Sequence, residues 1–265
     1  MKKLLVVLSA LVVVAAACNE FNVTVDPRFT ARDIVDIAVD TTGRDFVSVR
    51  GVNGTIEVTG VPGATSITGT AVIRVVADSQ AEADAHIFDV DVGISTDTLG
   101  MVSIFTQHLF VDAGGRTYIV DYVLEVPPGL KVRVTNVNGN CAIDSIAGEF
   151  VQISVTNGNA SVMDISGSAF ANVVNGNIKG NVTLTGLEFI ELETVNGWID
   201  LYIPRSTSAM LRADAFPGGV EVRNLDVLYF EKTRTHVVGR LGAGDGQIQL
   251  DATNGPIRIT GYGSQ

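Results

Sequence analysis

The chain has 265 residues, 46% of them hydrophobic and 18% charged, with a mean hydropathy of +0.32. That apolar content excludes a disordered polyelectrolyte. A formal charge of -11 argues against a protein that tracks phosphate backbones, so no nucleic acid partner is expected, and two cysteines exclude a disulfide-dense scaffold.

Met1-Lys2-Lys3 and the apolar run Leu4 to Val14 are too short to span a bilayer comfortably, and residues 1–17 read as a signal peptide. The segment ends in Ala15-Ala16-Ala17-Cys18, which resembles a bacterial lipobox, with Ala15 standing where Leu is usual. That resemblance implies cleavage before Cys18 and lipidation of Cys18. The plainer alternative is an ordinary signal peptide with an incidental cysteine. An acylated Cys18 would make the membrane itself a partner, since each buried CH₂ contributes about 0.8 kcal/mol. Asn19 stands where an Asp would favour inner-membrane retention, which points toward the outer membrane. Residues 18–30 then read as a tether and 31–265 as a single domain, with the protein extracytoplasmic and facing either the periplasm or the outside.

Along the domain, Asn53-Gly54 is the first of a series of Asn-Gly dipeptides, and the stretch from Ala71 to Val126 interrupts it. Ser79 followed by Gln80-Ala81-Glu82-Ala83-Asp84-Ala85 predicts a short helix with a serine N-cap. Phe88 to Ile94, Met101 to Thr106 and Tyr118 to Val126 read as a β-meander completing this insert, placed to cover one end or face.

Beyond the insert, Asn138-Gly139, Asn157-Gly158, Asn175-Gly176 and Asn196-Gly197 recur 19, 18 and 21 residues apart. Pro217-Gly218 follows after 21, whereas Asp245-Gly246 and Asn254-Gly255 fall out of step. A period of about 20 is the mark of a solenoid. Both Asn and Gly tolerate the positive φ of a tight corner. An isolated Asn-Gly signals a hairpin, and the pair at Gly246 and Gly255 could be one. After the middle turns, however, apolar and polar residues alternate as in half-buried strands, with Ile199, Leu201 and Ile203 between Trp198, Asp200 and Tyr202. Two residues past each turn glycine stand Ile56, Cys141, Ala160, Ile178, Ile199, Val220, Ile248 and Ile257, a core file in which Cys141 is a buried small hydrophobe. The neighbouring outward file includes Asn140, Asn159 and Asn177, whose amides would hydrogen-bond along the coil axis. The fold class expected is all-β: a parallel β-solenoid, β-helix-like, with Asn-Gly turns and the helix-plus-meander insert.

Asp121-Tyr122-Val123-Leu124-Glu125-Val126-Pro127-Pro128-Gly129 and Val134-Thr135-Asn136-Val137-Asn138-Gly139 together resemble the DUF4097 adhesin family. Leu201-Tyr202-Ile203-Pro204, Gly239-Arg240-Leu241-Gly242-Ala243-Gly244 and Leu250-Asp251-Ala252-Thr253-Asn254-Gly255 carry the same resemblance, which covers most of the chain from about Ala31. It implies a bacterial surface or envelope protein with roles in adhesion or envelope-stress signalling, and it brings no catalytic residues.

Searching for chemistry returns little. His86, His108 and His236 lack ligand-like spacing, so no metal is expected. No G-x-S-x-G elbow is present, and Gln247 breaks the G-x-G-x-x-G pattern after Gly242, so no cofactor is expected either. Trp198, Asp200 and Tyr202 form the candidate ligand face: two outward aromatics flanking a carboxylate suit stacking on sugar rings. The competing reading is that the insert or an N-terminal strand covers these rings. Lys179, Asp200 and Glu221 follow three turn glycines at the same offset. Stacked in consecutive coils, Asp200 and Glu221 would lie about 5 Å apart, the spacing of a retaining glycosidase. The alternative is a solvated charge ladder. The reading preferred is a non-enzymatic, lipid-anchored envelope protein that binds or scaffolds a glycan or an envelope protein. A periplasmic stress component acting through a protein partner is the first alternative, and a glycan-active β-helix enzyme the second.

Overall fold

The computed structural model describes residues 28–108 and 114–263, so the signal peptide over residues 1–17, Cys18 and most of the tether lie outside the described residues. Two large sheets face each other, one of ten strands and one of eleven. Each coil lays one strand in the eleven-stranded sheet, turns at Asn-Gly and lays the next in the ten-stranded sheet. Phe150–Asn157 is followed by Ala160–Ser166, Ser168–Asn175 by Ile178–Thr183, and Phe189–Asn196 by Ile199–Pro204. Like positions pair in parallel from coil to coil, as in Asn157 with Asn175 and Ile178 with Ile199. The fold is therefore the β-solenoid-like stack expected from the repeat.

Period-two alternation decides which side chains meet between the sheets. Ile56, Cys141, Ala160, Ile178, Ile199 and Ile257 form one buried file, and Val220 continues it half-buried at the end. Val132, Val151, Ala169, Ile190, Ile248 and Leu211 line the opposite sheet. Each fully buried isoleucine contributes about 1.5–3 kcal/mol relative to exposure. Ile248 thus belongs to the second file, not the first. Gly246–Asn254 and Ile257–Tyr262 are the two strands of one coil, one in each sheet, and not a hairpin.

Spatial order departs from chain order at one place. The coil formed by Gly246–Asn254 and Ile257–Tyr262 sits between that of Phe189–Asn196 and Ile199–Pro204 and that of Ala209–Ala215 and Val220–Arg223. The intervening chain forms an antiparallel hairpin, Val227–Lys232 with His236–Leu241, which extends the eleven-stranded sheet beyond Ala209–Ala215. This detour is why the glycine spacing lengthens after Gly218.

The insert is corrected in one respect. The helix forms at Gln80–Ala85, with the Ser79 hydroxyl accepting from the Glu82 amide at 3.2 Å. Its strands, however, are no meander. Val90–Thr96 and Met101–His108 make a hairpin on the eleven-stranded sheet, whereas Thr117–Val126 joins the other sheet, between Ser66–Ala77 and Ile56–Gly60. The hairpin ends the eleven-stranded sheet, whereas the ten-stranded sheet ends on Phe29–Asp40, two strands beyond Thr117–Val126.

The turn asparagines are also explained differently. Positive φ at non-glycine residues occurs, among those described, at Ser145, Asp164 and Asn224. The Asn of each Asn-Gly pair instead joins a ladder: Asn138 donates to Asn53, Asn157 to Asn138, Asn175 to Asn157, Asn196 to Asn175 and Asn254 to Asn196, all at 2.7–2.9 Å.

Candidate functional site

One coil position beyond the turn, a second amide stack runs along the outside of the ten-stranded sheet. Asn159 Nδ2 donates to Asn140 at 3.0 Å and Asn177 Nδ2 to Asn159 at 3.1 Å, as the sequence predicts. Trp198 ends the stack, its backbone N–H donating to Asn177 Oδ1 at 3.1 Å. The next two coils carry Pro256 and Gly219 at this position, so nothing tall stands beside the indole. The far wall is Arg234, from the bend of the C-terminal hairpin. Its guanidinium donates to the Pro217 carbonyl at 3.2 Å, and its own carbonyl accepts from Val220 N–H at 2.9 Å. The result is a groove of about 440 Å³ lined by Trp198, Asp200, Glu221, Arg234 and Arg258 over Val220 and Ile257. Trp198 is 37% exposed, so neither the insert nor the N-terminal strand covers it.

Charges line the groove floor in alternating sign. Lys179 pairs in register with Asp200, Asp200 with Arg258, and Arg258 with Glu221. Arg258 Nη1 contacts both Asp200 oxygens at 3.0 and 3.1 Å, and its Nε lies 3.7 Å from Glu221. Because the last coil is inserted between them, Asp200 and Glu221 are two strand spacings apart, about 10 Å. They are not the adjacent pair that consecutive coils would give. The arginine fills the space where a nucleophile or water would act, and the charge ladder is the better description. The Asp200 carboxylate is 17% exposed and already engaged by Arg258.

The three residues of the expected ligand face therefore divide. Trp198 and Asp200 share the groove. Tyr202 lies outside its lining, half-buried in register with Asn181 and Thr260, with the Lys179 ammonium 6.0 Å from its ring. Sequence reasoning missed Arg258 and Arg234. For Arg258 the signal was present: it follows Gly255 by the same offset as Asp200 follows Gly197. Arg234 arrives from a hairpin and carries no such mark.

Two of the histidines are structurally engaged. His86 Nδ1 lies 2.7 Å from Asp89, whose carboxyl also accepts from the Tyr118 hydroxyl at 2.9 Å. Burial works against ionisation of Asp89, and these two hydrogen bonds together with the charges of His86 and Arg116 outweigh it, leaving its pKa lowered. His236 sits between Asp214 and Glu231 on the other sheet. Among the described residues no group of three or more His, Cys, Asp or Glu gathers as a metal site. Cys141 is 1% exposed, and burial pushes its thiol up to about 12, which removes it as a nucleophile.

The family described as Toastrack DUF4097 matches residues 34–260. Three solved structures are similar in part. A putative cell adhesion protein from Clostridium sporogenes is 10% identical, with 87% of this chain and 100% of that one covered and a TM-score of 0.44. A putative lipid binding protein from Parabacteroides distasonis is 12% identical over 88% of this chain and 95% of that one, TM-score 0.27. A putative adhesin from the same organism is 9% identical over 85% and 97%, TM-score 0.24. No curated protein matches the chain.

Proposed function

The chain belongs to the Toastrack DUF4097 family, and we propose that it is a non-enzymatic, lipid-anchored protein of the bacterial envelope whose solenoid binds extracytoplasmic glycan. The observation that carries this reading is the Trp198 groove. A half-exposed indole stands beside Pro256 and Gly219, with donors from Arg234 and Arg258 and acceptors from Glu221 around it. A pyranose ring presents an apolar face for the indole and a rim of hydroxyls for those groups. The charge ladder gives the floor both signs, so a neutral, hydroxyl-rich polymer fits it better than a polyanion. Residues 1–17 and Cys18 supply the export signal and the anchor in this account.

The test is binding of the detergent-solubilised full chain to insoluble cell-wall polysaccharide. Trp198→Ala is expected to weaken binding about tenfold or more, as for a central aromatic anchor, and Tyr202→Ala to change it little. Equal retention of the Trp198→Ala chain, or no retention of the unaltered chain, overturns the glycan reading and leaves the partner-mediated stress role to be pursued.

A further inference from the structure

We propose that two copies of this chain associate edge to edge through the strand Phe29–Asp40, paired antiparallel about a two-fold axis at Ile34. The ten-stranded sheet ends on this strand, so among the described residues no strand occupies its outer side. Natural edge strands are blunted by shortness, proline, lysine or a bulge. This one is 12 residues long, contains neither proline nor lysine, and pairs with Ser66–Ala77 in unbroken register from Phe29 with Ala77 to Asp40 with Ser66. Of the other three edges, Val90–Thr96 is shorter, at 7 residues, and two more are protected. Val220–Arg223 has 4 residues, and Val227–Lys232 carries a register shift between Tyr229 and Glu231.

On the inner face Ala31 and Ile37 are buried and Asp33, Val35 and Val39 half-buried, whereas Thr30, Arg32, Ile34, Asp36 and Ala38 are exposed on the outer face. For two copies to keep both faces continuous, outward residues must oppose outward residues. Centred on Ile34, that pairing sets Arg32 of each copy opposite Asp36 of the other, Ile34 against Ile34, and Thr30 against Ala38. On the inner face Ala31 meets Ile37 and Asp33 meets Val35. Neighbouring registers are poorer: an axis at Asp33 or Asp36 opposes two aspartates, an axis at Arg32 opposes two arginines, and an axis at Val35 pairs no opposite charges. Of these registers the one at Ile34 alone pairs opposite charges without opposing like ones, symmetrically, as an isologous interface requires.

Within one copy, Arg32 lies beside Arg74 on the neighbouring strand, and neither Arg32 nor Asp36 has an ion-pair partner among the described residues. A second copy supplies the missing counter-charge to each. Ile34, 50% exposed, finds cover in the same step. At one end the Gln80 amide reaches the Thr30 carbonyl at 3.4 Å, a long contact that an incoming strand N–H can replace. The proposal is independent of the glycan reading, since the Trp198 groove lies at the opposite end of the sheet.

Oxidative cross-linking of the full chain in membranes tests it. With Ile34→Cys the two introduced thiols face each other at cross-strand distance. With Ala38→Cys they lie about 27 Å apart, eight residues along the strand. The expected result is a disulfide-linked dimer for Ile34→Cys and none for Ala38→Cys or for the unaltered chain, which carries Cys18 and Cys141 as internal controls. Adding Arg32→Asp to Ile34→Cys opposes like charges at both symmetric pairs and should lower the dimer fraction about tenfold. Adding Asp36→Arg as well restores attraction, and the dimer should return, which a folding defect would not permit. Monomer throughout, equal cross-linking through positions 34 and 38, or a cross-link to a different protein overturns the proposal.

Discussion

At the corner of each coil, a β-carbon on the turn glycine would overlap the carbonyl of the glycine one coil earlier: Gly176 meets Gly158, Gly158 meets Gly139, and Gly197 meets Gly176. The close approach is with backbone, so no rotamer change relieves it. Gly63, by contrast, has φ +82 with nothing near its absent β-carbon. Gly176→Ala should therefore cost roughly 3 kcal/mol or more, against about 1–2 kcal/mol for Gly63→Ala, where only the left-handed backbone is strained; denaturant midpoints of the two variants measure the difference. A second residue, Glu193 on the outer face of the eleven-stranded sheet, has its pKa raised by burial and by the carboxylates of Glu191 and Asp251. Its charge is thus disfavoured in the folded state. The penalty is fully present above the raised folded value and vanishes below the ordinary value of 4.5. Glu193→Gln retains an acceptor for Asn172 and should raise the melting temperature at pH 7, with the gain fading as the pH falls from the raised folded value toward 4.5.

The amide ladder is the element that binds coil to coil at the corner. Asn175 donates to Asn157 and accepts from Asn196, whereas Asn254 donates to Asn196 and ends the run, because Pro217 takes the next corner. At about 1 kcal/mol per hydrogen bond, Asn175→Ala should cost roughly twice what Asn254→Ala costs in thermal unfolding. Equal losses would mean that the ladder is a surface decoration. Much of this level can be read from the chain. Asn-Gly spacing gives the coil, alternation gives the inward file through Cys141, and Asn140, Asn159 and Asn177 announce their own stack. What could not be read is partner choice. A strand such as Ile199–Pro204 presents the same pattern to any parallel neighbour, so nothing local says that Ile257–Tyr262 and not Val220–Arg223 lies beside it. The same ambiguity hid Arg258 from the site and made Asp200 and Glu221 look adjacent. The meander failed for a related reason: strands close in sequence suggest one sheet, whereas Thr117–Val126 crosses to the other.

At the scale of the whole molecule, the coil of Gly246–Asn254 and Ile257–Tyr262 is held between two others, and the hairpin before it swings out to form the wall of the groove. Binding site and end cap are therefore one construction. The described residues contain no helix long and apolar enough to cross a membrane; the link to the envelope proposed above is Cys18. At the far end, the open edge at Phe29–Asp40 lies next to the tether, so pairing of two copies would bring two anchors under one assembly and present two grooves outward. The measurement that tests the central claim most directly is protease digestion of the chain on intact and on permeabilised cells. The account predicts digestion on intact cells, with the solenoid displayed for glycan capture. Protection until the cells are permeabilised would contradict it.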